Sequence, residues 1–207
     1  MRLFTSSASP FVRKVQIVAA ETGQRLELSP VVLSPVAPNA ELSSKNPLGK
    51  IPALELDDGT VIFDSRVICE YLDGLHAGPR LIPNEPAARV RVLTTQALAD
   101  GVLDAGILLR YETFLRPEPL RWGEWMDAQG AKVTGGLAAL EATADSWGET
   151  LDLGQIAVGC AIGWLEFRRP LDALAAGPVD LRARFPKLMA RHDAWRARPS
   201  FASTEPS

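Results

Sequence analysis

Apolar residues follow two regimes along this chain, and the change falls once, near residue 76. In the first stretch short apolar runs alternate with helical spacing. Arg2–Thr5 reads as a short strand. Pro10–Glu21 reads as a helix with Val12, Val15, Val18 and Ala19 at helical spacing and Gly23 as its terminating glycine. Leu26–Leu33, with Leu26, Leu28, Val31, Val32 and Leu33, predicts a second strand. Residues 34–47 carry Pro35, Pro38, Asn39 and Asn46 and predict a loop with one helical turn at Ala40–Ser44. Ala53–Leu56 and Val61–Phe63 flank Asp57-Asp58-Gly59-Thr60, an Asp-Gly hairpin signal. Ser65–Leu75 is helical again, with Val67, Ile68, Tyr71, Leu72 and Leu75 forming its apolar face. The predicted order is β-α-β-loop-β-β-α.

Beyond this point strand signals vanish. Residues 77–86 contain Gly78, Pro79, Pro83 and Pro86, a linker composition. Ala87–Leu115 is one long helical pattern, interrupted by Pro117 and Pro119. Pro119 is placed early in the next helix, which runs to about Ser146, with Gly135-Gly136 weakening its middle. Gly154–Phe167 is apolar nearly all round, the pattern of a central core helix. Asp152, as N-cap, with Gln155 three residues later resembles a capping box at its start. A last helix is expected over residues 183–197. The predicted layout is an α/β domain over 1–76, a linker over 77–86 and an all-α domain over 87–207.

Composition narrows the function classes. A chain of 207 residues is long enough for one large or two small cores, and its net charge of −3 offers no basic stripe for nucleic acid. Cys69 and Cys160 lie in apolar helical patterns and read as buried thiols. His76 and His192 stand apart, so a metal site is not expected. The N-terminus lacks the apolar region of a signal peptide, and no run approaches a membrane span. The expectation is a soluble, cytoplasmic protein without membrane contact.

Three short features of the first domain carry candidate chemistry. In Ser9-Pro10-Phe11-Val12, serine is a favoured N-cap and proline suits the first helical position. Ser9 therefore puts a hydroxyl at the positive end of a helix dipole, where an anion is stabilised. It is either a plain cap or an anion donor; Ser6 is the weaker alternative, since it precedes the turn. In Gly49-Lys50-Ile51-Pro52-Ala53 the proline opens a strand. Were its peptide bond cis, the Ile51 backbone would face outward to pair with an extended peptide. In Phe63-Asp64-Ser65-Arg66, Ser65 is expected to cap the following helix, and Asp64 to hold an ammonium group.

Taken together, Ser9-Pro10-Phe11-Val12-Arg13-Lys14-Val15, Asn46-Pro47-Leu48-Gly49-Lys50-Ile51-Pro52-Ala53-Leu54 and Phe63-Asp64-Ser65 followed by Glu70-Tyr71-Leu72 resemble the soluble glutathione transferases. So do Phe185-Pro186-Lys187-Leu188, Trp195 and Arg198-Pro199-Ser200-Phe201. The resemblance covers the whole chain and is closest to bacterial serine-type members. It implies a thioredoxin-like N-terminal domain, an all-helical second domain and a homodimer. The co-substrate would be glutathione, without a metal, and the reaction addition of its thiolate to a small hydrophobic electrophile, in detoxification. Ser9 would donate to the sulfur. Ile51 would pair with the cysteinyl backbone across a cis-Pro52 turn, Asp64 and Ser65 would bind the γ-glutamyl end, and Lys50 the glycyl carboxylate. Asp100 would reach the glutamyl amine across a dimer interface. An electrophile pocket between the domains would use Phe11, Tyr111, Phe114, Trp164 and Phe167, with Arg168 at its edge; for Trp164 core packing is the competing role. Ser9 and Val12 stand where a redox C-x-x-C would have its thiols, so dithiol chemistry is excluded there. Glutathione-dependent peroxide reduction or isomerisation, and a binding or regulatory module without catalysis, are the alternatives.

Overall fold

The structure is a computed structural model describing residues 1–207. Two compact units divide it: Met1–Arg89 with Pro199–Ser207, and Val90–Arg198.

The first unit contains β1 (Arg2–Thr5), α1 (Pro10–Glu21), β2 (Glu27–Pro30), α2 (Ala40–Lys45), β3 (Ala53–Glu55), β4 (Val61–Ile62) and α3 (Ser65–Gly74). Its sheet has the order β2-β1-β3-β4, with β1 parallel to β2 and antiparallel to β3, and β3 antiparallel to β4. Along the chain the elements follow the predicted β-α-β-loop-β-β-α order, with α2 in the loop, and the domain is thioredoxin-like. Successive residues of a strand face opposite sides. Leu3 and Phe4 are both fully buried, so the sheet is covered on both faces. Phe4 clusters with Ala53 and with Leu42 of α2, while α1 and α3 pack against each other.

Strand β2 is shorter than its apolar run. It pairs only with β1, which offers four residues, so the ladder stops at Pro30 and Val32 is left 88% exposed. The Asp-Gly hairpin forms as predicted: the Leu56 N–H donates to the Thr60 carbonyl at 2.8 Å and Gly59 has φ +85°. The stretch after α3 is held down. Buried Asp73 accepts the Leu81 and Ile82 N–H groups at 2.8 and 3.1 Å. The C-terminal segment, with α9 (Pro199–Ala202), lies on α1, where Arg13 donates to the Phe201 carbonyl at 3.2 Å.

The second unit holds the rest of α4 (Pro86–Phe114), α5 (Gly123–Thr143), α6 (Leu153–Arg168), α7 (Leu181–Arg184) and α8 (Pro186–Arg196). Helix α6 is buried from Leu153 to Leu165, the predicted core helix. Asp152 caps it by accepting the Gln155 N–H at 2.8 Å. The reciprocal half of the box is missing, because the Gln155 amide donates to the Gly148 and Thr150 carbonyls instead. Pro119 does not open α5; it sits in a separate turn, Glu118–Leu120. The expected last helix is broken in two by Pro186, which has no N–H to continue α7. Gly135-Gly136 does not interrupt α5, and the two glycines differ: a Cβ on Gly136 would lie 2.4 Å from Val102 Cγ2, whereas Gly135 faces open space. By length and composition α4 is apolar enough to match a membrane span, but half of that stretch is buried within the fold, as in a core helix.

Candidate functional site

Three loops meet at one end of the first unit's sheet. Phe4 of β1 pairs with Ala53 of β3, and Leu54 pairs with Ile62 of β4. The chain leaving β1 towards Ser9, the turn entering β3 at Ile51-Pro52 and the exit from β4 at Phe63-Asp64-Ser65 therefore share one edge. This pairing register gathers motifs that lie far apart in sequence.

Ser9 is the N-cap of α1. Its backbone is extended (φ −86°, ψ 119°), Pro10 follows in the first turn, and its Oγ accepts the Val12 N–H at 3.3 Å. The Ser9 N–H donates to the Ser6 carbonyl at 3.0 Å, so Ser6 shapes the turn. Ser9 is half-buried, and no acidic side chain lies in the first turn to compete for the helix dipole. Val12 is buried, leaving the hydroxyl as the polar side-chain group at that position of the turn.

The Ile51–Pro52 peptide is cis, and so is Phe63–Asp64. Pro52 is buried, Ile51 half-buried and Lys50 exposed. Asn46 builds this turn. Fully enclosed, it donates from Nδ2 to the Lys50 carbonyl at 2.8 Å and accepts the Leu48 N–H at 3.0 Å, while Gly49 takes φ +61°. In the sequence Asn46 counts as a loop residue and as part of a motif, not as the residue that closes the turn. The local signal was present: an Asn before Pro-x-Gly favours a side-chain-closed turn.

Asp64, not Ser65, is the N-cap of α3. Its backbone is extended (φ −87°, ψ −160°), its Oδ1 accepts the Arg66 N–H at 2.9 Å, and its carbonyl accepts the Ile68 N–H at 3.0 Å. Ser65 is the first helical residue and is buried. The helix starts one residue earlier than a serine cap requires, and the carboxylate occupies the dipole's positive end while remaining exposed.

Of the predicted aromatic residues, Phe11 is half-buried, with the Lys14 ammonium 5.7 Å from its ring centroid. In the second unit Tyr111, Phe114 and Phe167 are exposed. Trp164 is only 4% exposed and packs against the surface left bare at Gly106, so its ring serves the core. Arg168 is half-buried, and burial, with the positive Arg110 as the second cause, lowers its pKa. Asp100 is 1% exposed within its own chain. Its carboxylate is thus enclosed.

Against known proteins, residues 3–80 match the family described as glutathione S-transferase, N-terminal domain. Over its whole length the chain is 35% identical to the uncharacterized GST-like protein YibF of Escherichia coli K12, covering 98% of that relative. It is similar to a glutathione transferase family member from Pseudomonas fluorescens Pf-5 solved with bound glutathione: 46% identity, TM-score 0.93, 100% of this chain and 98% of the other. The likeness extends to a structure from the same organism with bound S-(propanoic acid)-glutathione: 45% identity, TM-score 0.89, 100% and 99% covered.

Proposed function

This chain belongs to the glutathione S-transferase family, and from that premise we propose that it binds glutathione and adds its thiolate to a soft electrophile, with Ser9 as the activating donor. One observation carries the assignment: the Ser9 hydroxyl stands at the N-terminus of α1, where the Ile51-Pro52 and Asp64-Ser65 turns arrive beside it. The glutathione held by the Pseudomonas fluorescens relatives supports the ligand.

The chemistry follows from the donors. The thiolate is the reactive form of a thiol. Moving a thiol pKa from about 8.5 to about 6.5 requires about 2.7 kcal/mol of preference for the anion. A hydroxyl has one proton to give and two lone pairs to offer. Ser9 accepts from Val12 through its oxygen, which leaves its proton for a sulfur. That charge-assisted bond and the dipole of α1 together are of the required size. In this reading Ser9 is neither nucleophile nor base. The Ile51 backbone pairs with the cysteinyl unit, Asp64 takes the glutamyl ammonium, the first-turn N–H groups at Ser65 take its carboxylate, and Lys50 takes the glycyl carboxylate. Within the first unit, Phe11, two residues after Ser9, offers apolar surface for the electrophile. We place the protein in the cytoplasm as a homodimer acting in detoxification.

The test is calorimetry with glutathione, followed by ultraviolet titration of the bound thiol in wild type and Ser9→Ala. Tight binding with a depressed thiol pKa that rises in the variant is the expected result. An absence of binding heat would leave a non-catalytic module as the reading. Turnover of a hydroperoxide or a cis-enone in preference to an aryl halide would move the activity to peroxidase or isomerase.

A further inference from the structure

Arg110 of α4 and Arg168 of α6 are neighbours in the second unit. The two helices approach closely where Gly106 meets Trp164; a Cβ on Gly106 would stand 3.0 Å from the Trp164 ring. Arg110 and Arg168 each lie one helical turn beyond that crossing, and the burial-lowered pKa of Arg168 is depressed further by the charge of Arg110. Both guanidinium groups lie over exposed rings. The Arg110 Cζ is 4.1 Å from the Phe114 centroid, and the Arg168 Cζ is 4.3 Å from the Phe167 centroid.

The two like charges repel, and neither guanidinium is held in an ion pair with a carboxylate. The acidic residues close in sequence are engaged elsewhere: Glu112 with Arg116, Glu166 with Arg182, and Asp172 with Arg169. Each guanidinium carbon sits close over a ring centroid, a contact that needs no carboxylate partner. Arginine presents its donors as a planar fork suited to bidentate binding of a carboxylate. The half-exposed rings add flat apolar surface. These features match one ligand chemistry, a planar apolar body with an anionic group.

We propose that Arg110 and Arg168, with the rings of Phe114 and Phe167, form a subsite for aromatic carboxylates, and that the preferred electrophile carries such a group. The second half of this statement rests on the transferase reading; the subsite itself does not. The first experiment therefore needs no chemistry. Naphthoate is titrated calorimetrically into the full-length protein and into Arg110→Gln/Arg168→Gln, with naphthamide as the neutral control. Naphthoate should bind wild type about tenfold or more tightly than naphthamide, and the double variant should lose that margin. Equal affinity of wild type for the two probes overturns the subsite without any variant, and so does an unchanged margin in the double variant. Retained glutathione binding reports that the variant is folded. The second experiment compares kcat/KM for a chloronitrobenzoate and the matching chloronitrobenzamide. A carboxylate preference that appears in KM and disappears in the double variant supports the substrate class. Equal kcat/KM in wild type overturns it. Naphthoate binding with neither compound turned over would retain the subsite and reject the transferase reading.

Discussion

The Ser9 hydroxyl oxygen accepts the backbone N–H of Val12 at 3.3 Å, so one side chain closes the first turn of α1 and keeps a proton to donate. The two roles are separable. Ser9→Ala removes both: we expect turnover with an aryl halide to fall at least about tenfold, and stability to fall by about 1 kcal/mol. Ser9→Gly removes the donor but costs a cap only a few tenths of a kcal/mol. It should match alanine in turnover and wild type in thermal melting. Wild-type turnover in either variant would remove Ser9 from the chemistry.

Asp64 also combines a cap with a charge. Asparagine caps as well as aspartate but carries no charge to pair with an ammonium group. Asp64→Asn should weaken glutathione binding about tenfold in calorimetry and leave the unfolding midpoint near wild type. Unaltered affinity would show that the glutamyl amine is bound elsewhere.

Asp73 ties down the segment after α3 by accepting two backbone N–H groups, those of Leu81 and Ile82, which are themselves buried. Asp73→Ala strands both donors. Each unsatisfied buried group costs about 1 to 3 kcal/mol, so urea unfolding should show a loss of about 2 to 6 kcal/mol. Asp73→Asn, which keeps one acceptor oxygen, should recover about half of it.

Adjacent glycines of α5 should respond to alanine with opposite signs. Gly135 meets nothing, and alanine there should stabilise by about 0.5 to 1 kcal/mol through helix propensity. At Gly136 the added Cβ would sit 2.4 Å from Val102 Cγ2, on a side chain only 2% exposed. Overpacking there should cost about 1 to 3 kcal/mol. Denaturant titration of the two single variants decides the matter.

Burial raises the pKa of Asp152 above the ordinary carboxylate value, and this outweighs the Gln155 and Gly154 N–H groups that favour its charge. A carboxyl with a folded pKa above its unfolded pKa holds its proton better when folded. Its ionisation therefore opposes folding, and the cost appears as pH rises from the unfolded pKa through the folded one. Asp152→Asn keeps the cap oxygen without the charge. Its stability relative to wild type should increase from pH 4 towards neutrality and then level off. A difference that stays flat over that range would contradict the burial effect.

Much of this protein was legible from local chemistry. Hairpin, caps and buried helix are signals spread over a few residues, and the Asp-Gly pair, Ser9-Pro10 and the apolar run around Ile156 each formed as read. Ser9, Ile51-Pro52 and Asp64-Ser65 were readable as candidates for the same reason. What the sequence alone could not decide depended on what lies opposite in space. Strand β2 ends at Pro30 because β1 runs out, although its own residues favour continuing. The α8 N-terminus is capped from another helix, where Glu141 accepts the Lys187 and Leu188 N–H groups. Trp164 is a core residue because Gly106 leaves room for its ring, and the same crossing makes neighbours of Arg110 and Arg168. Periodicity reports which face of a helix is apolar; it does not report which residue of another helix that face will meet. Local backbone preference selected the elements, and close packing between elements selected the partners.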